Sequence, residues 1–505
     1  MPGDVSSFFR LIGAAWVLVR HDALIPHEVE PLLPPSLRAA GRTVRLFAGR
    51  EARKGRPGQR LARAFEELGP AAIKIGQLLA TRADVFGLQF ADDLGHLKDR
   101  LPPFPLAVAR AEVERSLDRP VESLFLSFEP AAAAASLAQA HPAVLNDGRK
   151  VAVKVLRPGV EQRVATDLGA LRLAAGLAYR FSEEARRLES VAFADTVARS
   201  LELELDLRLE AAACSELGEV MAEDGYMAAP AVVWAGVAKR VMVTEWIQGS
   251  PLSSPATLQQ PGFDRHALAD NIVRAFLTQA LDHGVFHADL HEGNLFAAPP
   301  DKLYAVDFGI VGRLGAGERR FLAEILWGFL QRDYRRVAQV HFDAGYVPAR
   351  HSVEAFAQAL RAVGEPVAGR KAADVSMGRL LGLLFEITAV FDMHLRPELV
   401  LLQKTMASVE GVARRIDPEH DIWSAAKPVV ERWIARELSP LARARRLADQ
   451  ANRIVDGLAR WAENPASPPV ILAESRPSGG LSAGLALGLS VGALAIALIA
   501  LSHAR

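Results

Sequence analysis

The run "VFHADLHEGNLFAAPPDKLYAVDFG", residues 285–309, decides the fold. It places His287, Asp289 and His291 at alternate positions and follows them with Asn294 and Asp307. Two chemistries use residues of these kinds. In a metal hydrolase, an extended chain would turn His287, Asp289 and His291 to one side as ligands. Such a centre needs further ligands, and His141, His283 and His341 stand singly in the sequence. In a phosphoryl-transfer enzyme, an Asp orients the attacking hydroxyl and an Asn five residues later holds a metal ion. A second metal-holding Asp then follows a strand. Asp289, Asn294 and the triplet Asp307-Phe308-Gly309 after "KLYAV" meet that pattern at the required spacing.

The same chemistry predicts partners upstream. "VAVKV", residues 151–155, places Lys154 on a strand, where its ammonium can neutralise nucleotide phosphate. "VMVTEWIQG", residues 241–249, reads as a strand and the hinge between two lobes, with backbone groups from Glu245 to Ile247 open to adenine. Lys154 needs a carboxylate to hold it. The helical run "LELELDLRLEAAACSEL", residues 201–217, offers several.

Working outward, residues 1–120 read as a helical N-terminal extension, broken at Gly69-Pro70 and at "LPPFP". Residues 121–248 alternate β-rich runs with turn signals and a long helical insertion. Residues 249–435 read as a helical lobe, and 436–480 as a helix and linker. The fold class is α+β: a two-lobed, protein-kinase-like architecture whose cleft is the natural place for a ligand.

The chain has 505 residues and a formal net charge of zero, so no basic field points to nucleic acid. Its single cysteine, Cys214, excludes an internal disulfide and a zinc site built from several thiolates. It reads as a small buried apolar residue. Lysines are scarce beside arginines, which draws attention to Lys74 and Lys154 inside apolar runs. Residues 481–502 carry no charge and are long enough to span a bilayer. Gly484, Gly488 and Gly492 would line one ridge of that helix, a surface for helix-mediated homo-oligomerisation. The shorter apolar run of residues 8–19 reads as an amphipathic helix lying on protein or membrane.

These residues resemble the UbiB protein-kinase-like family, the coenzyme Q biosynthesis kinases, over about residues 60–420. The most specific likeness is "LGPAAIKIGQLLATRADVF", which carries the family's K-x-G-Q signature at Lys74, Gly76 and Gln77. "AAAASLAQAH" resembles its Ala-rich loop, which replaces the Gly-rich phosphate loop of ordinary kinases. By that likeness Ala133, Ala134, Ala135 and Ser136 face the phosphates. Glu204 and Asp206 match the E-x-D motif, and Glu210 matches the glutamate that pairs with the strand lysine. The resemblance implies ATP or ADP with Mg2+ as cofactors. It also implies a K-x-G-Q helix over the active site, with Lys74, Gln77, Glu204 and Asp206 as regulatory residues. Implied partners are a polyprenyl-tailed quinone precursor or other ubiquinone-biosynthesis proteins, and the implied location is the bacterial inner membrane, with the globular part cytoplasmic. Alanine methyls restrict φ, so the nucleotide should sit differently from that of an ordinary kinase. After Gly309 no A-P-E segment follows, so a docking platform for a protein substrate is missing. A true protein kinase and a non-catalytic, nucleotide-switched scaffold remain as alternatives.

Overall fold

The computed structural model describes residues 2–24, 46–48, 54–80, 88–95, 97, 102–181, 186, 190–365, 387, 390–393 and 397–437. The expected span at 481–502, its glycine ridge and the linker before it lie outside the described residues. Among the described residues no helix is long and apolar enough to cross a membrane.

The smaller lobe is built on one antiparallel sheet. Strands β1 (Phe125–Phe128), β3 (Ala138–Leu145), β4 (Lys150–Leu156) and β5 (Val241–Glu245) lie side by side in that order, and β2 (Ala133–Ala134) pairs with β3. In β4 the valines at 151, 153 and 155 alternate to one face. There they pack with Phe125, Phe128, Val241 and Val243. The same period of two sends Lys154 to the opposite face, toward the cleft. Helix α5 (Leu106–Leu117) covers the apolar face.

Strand β3 was not visible as a strand in the sequence. "AQAHPAVL" has a single β-branched residue and includes Pro142, which donates no ladder bond. Its neighbours decide the matter: Pro142 accepts from the Glu129 amide, and His141 is wholly buried between Glu129 O and Gln139.

The helices of the extension are α1 (Pro2–Arg20), α2 (Pro57–Leu68), α3 (Pro70–Ala80) and α4 (Leu88–Gly95). The helical insertion supplies α6 (Val160–Phe181), α7 (Ser190–Glu204) and α8 (Leu207–Asp224). Helix α1 lies along α6, leaving Phe9, Ile12 and Trp16 exposed. Helix α3 buries Ile73, Ile75 and Leu79 against α2, α4 and α6. Gly76 lets it do so, because a Cβ there would lie 2.2 Å from Leu97 Cδ1 and 2.7 Å from Phe65 Cδ2. Helix α8 turns Leu207, Ala211, Cys214, Leu217 and Met221 into the core at helical spacing. Burial pushes the Cys214 thiol up to about 12, in keeping with an inert apolar role.

The larger lobe contains α9 (Arg265–Thr278), α10 (Ala316–Leu330), α11 (Tyr334–Asp343), α12 (Val353–Gly364), α13 (Pro397–Ile416) and α14 (Ile422–Glu437). It is less purely helical than its sequence suggests. A three-stranded sheet joins β6 (Ser250–Pro251), β8 (Leu295–Ala298) and β9 (Lys302–Ala305). Strand β7 (Val285–His287) pairs with β10 (Val311–Arg313). These strands are too short for periodicity to separate them from loop.

Candidate active site

Two short ladders assemble the loop of residues 287–309. In the β8–β9 hairpin Leu295 lies opposite Ala305, and the Val306 amide donates to Asn294 O at 2.9 Å. That register brings Asn294 beside Asp307, so two residues thirteen apart in sequence become neighbours. The β7–β10 pair sets His287 opposite Val311 and closes the loop from the other side.

His287 is fully buried and structural. Its Nδ1 accepts from the Asp289 amide at 3.1 Å, and its Nε2 faces Val306 O at 3.1 Å. Both nitrogens are occupied, and burial holds its pKa below the ordinary value. It is therefore unable to serve as a metal ligand in this arrangement, which removes the hydrolase alternative. His291 differs: its Nδ1 accepts from Gly293 N at 3.0 Å, while Nε2 lies 3.5 Å from Asp289 Oδ2.

Asp289 is held on several sides. Asn294 Nδ2 donates to its backbone oxygen at 3.1 Å and reaches Oδ2 at 3.4 Å. Lys404 Nζ lies 3.8 Å from Oδ1. Burial works against ionisation of Asp289. His291, Lys404 and His287 outweigh it and keep its pKa below the usual aspartate value. The Asp289 carboxylate in turn raises the pKa of His291.

The adjoining wall is a three-residue charge cluster. Lys154 Nζ donates to Glu210 Oε1 at 2.6 Å and to Asp307 Oδ1 at 3.1 Å. Glu210 reaches it from the first turn of α8, whose start is capped by Asp206. Burial tends to lower the Lys154 pKa, but Asp307 and Glu210 together raise it. Lys154 holds the Asp307 carboxyl well below the usual range. Burial pushes the Glu210 carboxyl up. Asp307 sits at φ 61°, a left-handed conformation that Asp tolerates better than most residues, with its side chain 52% exposed to the cleft.

The remaining candidate residues divide. Lys74 Nζ pairs with Glu204 Oε2 at 3.2 Å, and its charge reaches Asp307, so α3 contributes to the cleft. Gln77 is half-buried on the same helix. Asp206 is not joined to that pair: it caps α8 through Arg208 N and holds the Arg208 guanidinium at 2.8 and 2.6 Å. Its nearest donor is two residues away, which suits a cap. Ala133 and Ala134 form β2, and Ala135 N bonds to Ala138 O across the turn. The Ser136 side chain is fully buried, so its hydroxyl is closed to phosphate here. At the hinge, the Glu245 amide donates to Ala231 O and the Trp246 amide to Lys150 O. Those two amides are closed to adenine because strand pairing continues through them. The Ile247 amide has no backbone acceptor among the described residues.

Comparison with known proteins gives this arrangement a family. Residues 96–341 match the ABC1 atypical kinase-like domain, and residues 360–421 match the UbiB helical domain. A Marinobacter nauticus protein named "Probable protein kinase UbiB" is 40% identical over 438 residues, covering 85% of this chain and 79% of that protein. The chain belongs to the ABC1/UbiB family of atypical kinases. A Pseudomonas entomophila protein of the same name is 42% identical over 403 residues, covering 79% of this chain and 75% of its own length. Among solved structures, the complex of Rv3197 with erythromycin from Mycobacterium tuberculosis is similar at a TM-score of 0.53 and 24% identity. That likeness covers 72% of this chain and 93% of that one, and it is a likeness of fold.

Sequence reading missed what lies behind the loop of residues 287–294. Lys404, Thr405 and Ser408 on α13 all reach residues 288–290, from more than a hundred positions away. No spacing rule links segments so distant. The only signal available was a lysine in a chain that rarely uses one.

Proposed function

We propose that this chain is a membrane-anchored atypical kinase of ubiquinone biosynthesis. It binds and hydrolyses ATP with Mg2+ and passes phosphate, where it transfers any, to a small or lipid-like acceptor. The observation that carries this reading is the Lys154 ammonium between Glu210 and Asp307, with Asn294 and Asp289 on the adjoining loop.

The donor set suits magnesium. Asn294 commits its Nδ2 to Asp289, which leaves its amide oxygen available, and Asp307 stays ionised beside Lys154. Two hard oxygen ligands from protein, with phosphate and water completing the shell, match the ion's preference. Magnesium bound with the nucleotide would screen the phosphate charge. Lys154 would exchange part of its contact with Asp307 for the phosphates, while Glu210 keeps it in place. Asp289, ionised through His291 and Lys404, is placed to orient a water or hydroxyl and take its proton. The relatives' name supports the link to ubiquinone, and the apolar run at 481–502 supports the anchor. Intermediates with polyprenyl tails are membrane-bound, so an anchored catalyst meets them in the bilayer.

The test compares the full chain with Asp289→Asn. Calorimetry with MgATP and MgADP is expected to give binding to both proteins, and phosphate release to the unmutated one alone. Absence of binding to either would overturn the reading. Full quinone content in cells carrying Asp289→Asn would favour the switched scaffold instead.

A further inference from the structure

The catalytic loop has an unusual support. Between Phe308 and the start of α10 at Ala316 lie only seven residues, three of them in β10, so the chain after Gly309 supplies no long segment to hold the loop. The Ala288 and Leu290 carbonyls still need donors, since both residues are buried. Those donors come from α13. Ser408 Oγ donates to Leu290 O at 2.8 Å. Thr405 Oγ1 lies 3.0 Å from Ala288 O and 2.8 Å from Leu401 O, sharing one proton between the loop and its own helix. Lys404 faces Asp289 at 3.8 Å, and Arg415 pairs with Glu292. Four of the five residues from Ala288 to Glu292 are thus touched by one helix. Residues 404, 405 and 408 share a helical face, so the contacts follow from a single orientation of α13.

We propose that α13 is the brace of the catalytic loop, and that Lys404 is a positioning residue which fixes the Asp289 carboxylate through Oδ1. The second half rests on the phosphoryl-transfer reading given above; the first does not. Asp289 lies between Lys404 on one side and His291 and Asn294 on the other. A carboxylate gripped from both sides holds one rotamer. A proton acceptor must hold its geometry to be effective. The brace also gives the helical domain a task in the reaction, since α13 falls within the segment that matches it.

The test has two arms on the full chain. In the first, hydrogen exchange is followed in Ser408→Ala and Thr405→Val. Loss of one such bond is expected to speed exchange in residues 285–295 roughly fivefold, with residues 138–156 unchanged. Uniform acceleration across both segments would make α13 an ordinary core helix and overturn the brace, as would no change in either. In the second, steady-state hydrolysis of MgATP is compared for Lys404→Met and Lys404→Arg. The Met variant is expected to lose about tenfold in kcat with KM within about twofold, and Arg to recover most of the loss. Equal loss in both variants, or a change confined to KM, would overturn the positioning role. If the unmutated chain releases no phosphate, the reaction reading falls and the role of Lys404 falls with it. The exchange arm still decides the brace.

Discussion

The two walls of the cleft are built on opposite plans. On one wall, Lys154, Glu210 and Asp307 come from β4, α8 and the end of the β8–β9 hairpin, and meet through charge. On the other, His287, Asp289, His291 and Asn294 lie within eight residues and are wired to one another mainly by short-range hydrogen bonds. The first wall exists only when both lobes and the helical insertion are in register. The second is shaped by its own loop and backed by one helix. On the proposed reading, chemistry is therefore concentrated on a locally robust loop, whereas nucleotide capture depends on long-range assembly.

Substitutions should expose that contrast. The largest effect is expected from Asp289→Asn. Its backbone oxygen still accepts from Asn294, so the loop keeps its shape, while ATP turnover falls by about 10² to 10⁴. A matching loss of thermal stability would show that the loop is less self-sufficient than its bonding implies. Next comes Lys154→Met. It leaves Glu210 and Asp307 facing the cleft without their cation, so MgATP affinity should fall at least about tenfold, with Tm falling as well. Titration calorimetry and a thermal melt measure both. If affinity survives, charge does not govern that wall.

Smaller effects sharpen the comparison. Gly76→Ala drives a methyl into Leu97 and Phe65, and overpacking of this kind costs about 1–3 kcal/mol. Chemical denaturation would read the cost, and hydrogen exchange should localise it to α3 rather than to the loop. The smallest belongs to His291→Gln. The His291 pKa is raised in the folded chain, so its pairing with Asp289 stabilises fully below the ordinary histidine value and fades as pH rises through the raised one. The Asp289 pKa is lowered, so its share is present above the ordinary aspartate value and lost as pH falls through the lowered one. His291→Gln should therefore reduce Tm by about 1–2 °C in mildly acidic buffer and leave it unchanged at alkaline pH. A loss independent of pH would assign His291 a packing role.

The contrast also explains what the sequence disclosed. Asp289, Asn294 and Asp307 were legible because their spacing is imposed by a short loop and a hairpin. Lys154 was legible because valines on a period of two point the other way. Strand β3 was hidden, since alanines and Pro142 carry no strand preference and its neighbours impose its form. Among the backbone groups from Glu245 to Ile247, the Glu245 and Trp246 amides are taken up because strand pairing continues one residue further than the turn signals imply, which leaves the Ile247 amide and the carbonyls for the expected role. Asp206 shares a motif with Glu204 yet serves as a cap, a distinction set by the break between α7 and α8. Helix α13 was silent because contact across that distance leaves no periodic trace.

Asp307 carries one further consequence. Its φ of 61° means that the site chooses its occupant by backbone shape as well as by charge. Asparagine and glycine satisfy the shape without the charge, whereas glutamate would keep the charge and strain the chain. Shape and charge together therefore narrow the residues this position accepts to very few.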